Sequence, residues 1–177
     1  MTSNKLIISI LVLFVFIASS CSKDDPTESI VKWKSDNDSY FANMKDSTGY
    51  IKDTVATSIG NLFYYYKITT PGDQSSTNPT YSSYVKVNYK GSLITGSIFD
   101  ETYTGSNPEN DSTAKPANFY ANQLIPGWTI NLTQMKTGEI RTIVLPHELC
   151  YGIYGMGPVI PPYSTLKFDI QLISFTN

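Results

Sequence analysis

Histidine occurs once in the 177-residue chain, at position 147, and cysteine twice, at positions 21 and 150. Three such side chains are too few for a structural or catalytic zinc site. A lone histidine also leaves serine, threonine and cysteine nucleophiles without a second imidazole to activate them. His147 follows Pro146 at a predicted strand end and is expected to be an exposed loop residue. Charged residues are only 16% of the chain, the 13 lysines and arginines are dispersed, and the net charge is -2. A nucleic-acid partner would need a basic patch, and none is present. Neither G-x-x-x-x-G-K nor G-x-G-x-x-G occurs. No apolar run reaches the roughly 20 residues that cross a bilayer. The longest, LIISILVLFVFI at residues 6–17, has twelve with Ser9 among them.

That run has another use. Preceded by Lys5 and followed by small residues, it has the length of a signal-peptide core. It ends in ASSC, residues 18–21, which resembles the cleavage box of bacterial lipoproteins, with Ala18 where leucine is usual. The resemblance implies a signal peptide at residues 1–20 and Cys21 as an acylated mature N-terminus. More than one acyl chain gives stable anchoring, at about 0.8 kcal/mol per buried methylene. Ser22 after the cysteine resembles outer-membrane sorting in a Gram-negative cell. The run Lys23-Asp24-Asp25 resembles a tag for export to the cell surface, so the periplasmic and outer faces both stay open. With Cys21 acylated, Cys150 has no disulfide partner.

Residues 21–60 read as a tether and N-terminal extension. Ile30, Trp33, Tyr40, Phe41 and Met44 fall at spacings that suit one helical face. The intervening SDNDS, residues 35–39, competes for the backbone and predicts a short or broken helix.

From residue 61 to 177 the period changes to two. LFYYYKI, YVKVNYKG, SLITGSIFD, EIRTIVLP and TLKFDIQLI read as strands, with Gly96 at a hairpin turn. Leu166, Phe168, Ile170 and Leu172 alternate with polar residues, as half-buried antiparallel strands do. One segment prefers a helix: PGWTINLTQMKTG places Trp128, Leu132 and Met135 on one stripe, with Gly138 as the stop. The expected fold is α+β, a twisted antiparallel sheet of about five strands with one short helix packed across it.

Three segments in order, VKVNYKGSLITGSIFD, LIPGWTINLTQMKTGEIRTIVLP and YGIYGMGPVIPPYSTLKFDIQLI, resemble the FKBP-type peptidyl-prolyl cis/trans isomerases. The resemblance implies that Tyr89, Phe99, Asp100, Ile125 and Tyr151 are the catalytic positions. It implies that Leu124, Trp128, Val159, Ile160 and Phe168 bind the substrate, with Trp128 as the pocket floor. No cofactor is implied. The implied partners are proline-containing polypeptides, and macrolide inhibitors are a further implied ligand class. The loop after Phe99 is long and polar, and Phe119 is the nearest candidate for an aromatic on its far side. A non-catalytic binding or chaperone module would use the same hollow. Both readings make the apolar, proline-rich loop at 151–162 one wall of a pocket, with its prolines lowering the entropy cost of ordering it.

Overall fold

The computed structural model describes residues 26–58 and 60–177. The expected signal peptide and Cys21 lie outside the described residues.

The first described element is α1 (Pro26–Asn43), which continues into a 3₁₀ turn at Met44–Asp46. The break expected at SDNDS does not occur. Asp36 and Asp38 each pair with a lysine one turn earlier, Lys32 at 2.6 Å and Lys34 at 2.5 Å. Such exposed pairs contribute only about 0.3–0.5 kcal/mol each. The larger cause is Asn37, which is fully buried and fills the gap in the apolar stripe between Trp33 and Tyr40. Its amide nitrogen donates to the Trp33 carbonyl at 2.8 Å. Tertiary contact thus overrides a weak local preference. Among the described residues no helix is long and apolar enough to cross a membrane.

Seven strands follow in one antiparallel sheet, two more than expected. They are β1 (Ile51–Thr57), β2 (Gly60–Thr70), β3 (Tyr84–Leu93), β4 (Ile98–Glu101), β5 (Ala117–Tyr120), β6 (Ile140–Leu145) and β7 (Leu166–Thr176). Their spatial order is β1-β2-β6-β7-β3-β4, and β5 shares the outer edge of β3 with β4. The five expected strands are all present. The two extra ones are β1, inside the segment read as tether, and the four-residue β5.

Helix α2 (Pro126–Leu132) lies between β5 and β6 and stops six residues before Gly138. Trp128, Leu132 and Met135 are buried against Val85, Val87, Ile143, Leu145, Phe168 and Ile170. A second, smaller core on the opposite face joins Met44, Tyr65 and Val144, with Tyr40, Phe41, Tyr50 and Phe63 packed around them. Neighbouring residues of β2 and β6 therefore serve different cores: Tyr64 and Ile143 face α2, while Tyr65 and Val144 face the α1 side. That double burial is why β6 is buried at all six positions.

Helix α2 is also fastened by a polar network. Buried Arg141 pairs with buried Glu139 at 2.5 Å and donates through Nη1 to Asn131 Oδ1 at 3.2 Å. Asn131 in turn donates to the Gly127 carbonyl within α2 at 2.8 Å, and the guanidinium lies 5.0 Å over the Tyr66 ring.

Candidate active site

Alternation along β3 sends Tyr89 to the α2 side of the sheet, and Gly91 follows it on the same face. In register, Gly91 lies between Asp100 on β4 and Phe168 on β7. The β3–β4 hairpin turns at Gly96, whose φ is +84°, as the sequence predicted. Its register then slips, because Ser92 faces Ile98 while Gly91 faces Asp100. Phe99 is thus the extra residue of a bulge, a device that re-aims a side chain. Its ring meets Phe168 edge-on at 5.7 Å.

Trp128 sits in the first turn of α2, which begins with Pro126 at a position where a missing N–H costs nothing. Three rings stand edge-on to the indole: Tyr89 at 5.1 Å, Phe168 at 5.4 Å and Phe119 at 6.2 Å. The geometry suits aromatic quadrupoles, each pair contributing about 0.5–1.5 kcal/mol beyond its burial. Phe119 reaches this place because β5 pairs it with Val85.

These rings wall a cleft of about 270 Å³. Leu124, Ile125 and Gln123 border it on the approach to α2, and Tyr151 and Met156 close it from the loop. Trp128 is only 4% exposed, yet it lines this cleft, so the indole is a floor and not sealed core. Asp100 is the only carboxylate on the wall. Its Oδ2 accepts the Tyr89 hydroxyl at 2.5 Å. Burial, followed by that bond, holds the Tyr89 phenol above the usual tyrosine range. Burial also raises Tyr151, assisted by Cys150 and Asp100. A larger hollow of about 460 Å³ lies between α1 and Pro161, where Lys32 and Asp36 pair with each other.

Eight of the ten expected pocket residues meet at the cleft. Val159 and Ile160 do not. Val159 is 51% exposed, whereas Ile160 is buried in the main core. The cause is a two-bond bridge between Met156 and Ile160, at 2.8 and 3.2 Å, which turns the loop back on itself. Gly155 permits the turn at φ +67°, where a Cβ would stand only 2.1 Å from the Ile160 carbonyl oxygen. Met156 takes the wall position instead. Gln123 carried no signal in the sequence, and Phe119 carried only its nearness to the polar loop.

His147 is the other correction. Its side chain is only 13% exposed, packs edge-on against Tyr163 at 5.3 Å, and has a buried Nδ1 without a hydrogen-bond partner among the described residues. It lies outside the cleft. Cys150 is a free thiol that burial pushes well above its usual pKa, so it is a neutral filler beside Tyr151. Among the described residues no group of histidine, cysteine, aspartate and glutamate could hold a metal ion.

The family model for the FKBP-type peptidyl-prolyl cis-trans isomerase matches residues 75–173, which contain every residue of this cleft. The chain belongs to the FKBP-type isomerase family. Its FKBP segment is 44% identical over 95 residues to the FKBP-type peptidyl-prolyl cis-trans isomerase FkpA of Escherichia coli, covering 54% of this chain and 32% of that protein. It is 39% identical over 109 residues to the peptidyl-prolyl cis-trans isomerase Mip of Coxiella burnetii, covering 62% and 43%. The chain spans less than half the length of these curated FKBP relatives. Two crystal structures are also similar. FkpA from Escherichia coli has a TM-score of 0.65 at 32% identity, over 85% of this chain and 62% of that one. A peptidyl-prolyl cis-trans isomerase from Pseudomonas syringae has a TM-score of 0.63 at 30% identity, over 87% and 98%.

Proposed function

We propose that the cleft accelerates cis/trans rotation about X-Pro bonds in folding polypeptides. The observation that carries the reading is an aromatic-walled hollow whose one carboxylate, Asp100, is engaged by the Tyr89 hydroxyl, with no histidine or lysine in the lining. Rotation about an amide faces a barrier of about 18–20 kcal/mol because the C–N bond is partly double. Midway through the turn conjugation is lost and the amide dipole shrinks. A dry wall of Trp128, Phe99, Phe119 and Phe168 then favours the twisted form over the planar one, which prefers water. That is preferential binding of the transition state. No proton leaves the substrate, so the mechanism needs no histidine. The backbone N–H of Ile125 and the Tyr151 hydroxyl are the donors assigned to the substrate carbonyls, and they fix the twist. Asp100, held by Tyr89, meets the carbonyl charge as it moves.

Magnetisation exchange between cis and trans X-Pro peptide tests this directly. Acceleration that disappears in Phe99→Ala and Asp100→Ala supports the reading, and exchange no faster than in buffer refutes it. The second reading, a module that grips unfolded segments, is favoured by the exposed rim of Ile153, Tyr154, Met156 and Val159. Peptide binding without accelerated exchange would select it. Macrolide binding belongs to the same cleft and is read by competition in that assay.

The anchoring proposal is separate. Cys21 is assigned as the acylated N-terminus that holds the domain at the outer membrane of a Gram-negative cell, facing the periplasm or the cell surface. The signal run and the ASSC box support it, as does a Legionella longbeachae relative named outer membrane protein MIP, 39% identical over 109 residues. Mass spectrometry of the mature N-terminus checks it; an uncleaved, unmodified start overturns it.

A further inference from the structure

The loop that carries Tyr151 and Met156 to the cleft ends in Ser164 and Thr165, directly before β7. Helix α1 holds both of these residues. Trp33 Nε1 donates to Ser164 Oγ at 3.2 Å. The Thr165 N–H donates to Asn37 Oδ1 at 2.8 Å, and its hydroxyl to the Asn37 carbonyl at 3.4 Å. Asn37 is fully buried, and its amide nitrogen is already committed to the Trp33 carbonyl. The amide therefore has one orientation that satisfies both of its ends.

From this foot the bonds run inward along the loop. Ser164 donates to the Pro161 carbonyl at 2.7 Å, and the Tyr163 N–H donates to the Gly152 carbonyl at 3.0 Å, next to Tyr151. Tyr163 is the one non-glycine residue with positive φ, +63°, among the described residues. Such strain persists only where the surroundings over-determine it. Here Lys34 of α1 lies 5.6 Å over the Tyr163 ring, with His147 packed on its edge.

The whole of α1 precedes residue 75, where the family match begins. We infer that Asn37 is a positioning residue for the cleft: through Thr165 it fixes the loop that sets Tyr151 and Met156 against the substrate. Helix α1 is then a working part of the isomerase unit and not a spacer. The inference rests on the cleft reading given above.

The test compares Asn37→Ala, Trp33→Phe and the control Lys32→Ala in the full chain. Trp33→Phe keeps an aromatic ring and removes the donor to Ser164 together with the pyrrole half of the indole; Lys32→Ala breaks an exposed pair on the same helix and no hydrogen bond to the loop. Values of kcat and KM are measured by exchange on an Ala-Pro and a Leu-Pro peptide, below the unfolding transition of every variant. Asn37→Ala is expected to lower kcat/KM about tenfold and to change the ratio between the two peptides, and Trp33→Phe to shift the same ratio less. Lys32→Ala is expected to match the wild type. Wild-type kcat, KM and peptide ratio in a folded Asn37→Ala overturn the inference. A loss on both peptides no larger than the loss of folded protein also overturns it. Should Asn37→Ala not fold, Trp33→Phe decides: a shifted ratio supports the inference and an unchanged one overturns it. Activity in the wild type that vanishes in Phe99→Ala keeps the cleft reading intact whichever way α1 falls.

Discussion

A Cβ placed on Gly91 would stand 2.6 Å from the Phe99 ring and 2.9 Å from that of Phe168. No real side-chain carbon sits so close, so the two rings hold their places only because β3 has a bare α-carbon there. Gly91→Ala must move Phe99, whose bulged position has room only toward the cleft or solvent. The expected cost is about 1–3 kcal/mol of stability, typical of overpacking, with most of the exchange activity lost. Urea unfolding and the exchange assay measure the two effects; full activity in the variant would refute the packing argument.

Tyr89 and Asp100 separate support from shape. Tyr89→Phe keeps the ring edge-on to Trp128 and removes only the hydroxyl that Asp100 accepts. Stability is expected to change by less than about 1 kcal/mol, because Asp100 stays solvated. The value of kcat/KM should fall about tenfold as the carboxylate loses its fixed direction. Equal kcat/KM in Tyr89→Phe and wild type would remove the hydroxyl from the mechanism.

The alkaline limb of the pH profile follows from raised phenols. Tyr89, Tyr151 and Tyr64 all lie above the usual tyrosine range, Tyr64 chiefly through burial and its bond to Asp53. A folded-state pKa above the unfolded one gives stability that is complete below about pH 10 and lost as pH rises through the folded value. Exchange activity and unfolding midpoint should therefore show no loss between about pH 7 and 9.5, and the midpoint should drop beyond about pH 10. Asp53 works at the other end. Its carboxyl is held low, first by the Tyr64 hydroxyl, so its contribution is present above about pH 4 and disappears as pH falls through the lower folded value. Tyr64→Phe should soften both limbs, as read by urea midpoints across the pH range.

Glu139 and Arg141 predict the largest stability loss outside the cleft. Both side chains are nearly inaccessible, so Glu139→Gln leaves a buried guanidinium without its counter-charge, with neutral acceptors and the Tyr66 ring around it. The expected cost is about 3–5 kcal/mol, as for a buried pair stripped of one partner. Replacing the pair together by Glu139→Leu and Arg141→Met should cost much less. Thermal unfolding of the two variants distinguishes a broken pair from a lost contact.

The legible parts of the chain were those where one face alone is buried. The stretch Leu166 to Leu172 alternates because one side of β7 meets α2, and Trp128 and Leu132 repeat at helical spacing for the same reason. The sequence predicts a short or broken helix for α1 because Asn37 looks like a breaker until Thr165 is there to receive it. Strand β1 was hidden since IKDTVAT pairs only with β2 at the sheet edge and stays largely exposed. The cleft was legible through motif-bearing residues, and it failed at Val159 and Ile160. No local pattern shows that Gly155 folds the loop so that Met156 faces inward and Ile160 goes under.

Strand β7, the last eleven-residue element, stands in the middle of the sheet between β6 and β3. A growing chain that lacks it has two half-sheets with nothing to join them, and each presents an unpaired inner border to whatever is nearby. The sheet therefore closes only once β7 has been made and seated between its two neighbours. A chain without β7 would lack the centre of its sheet and not merely an edge.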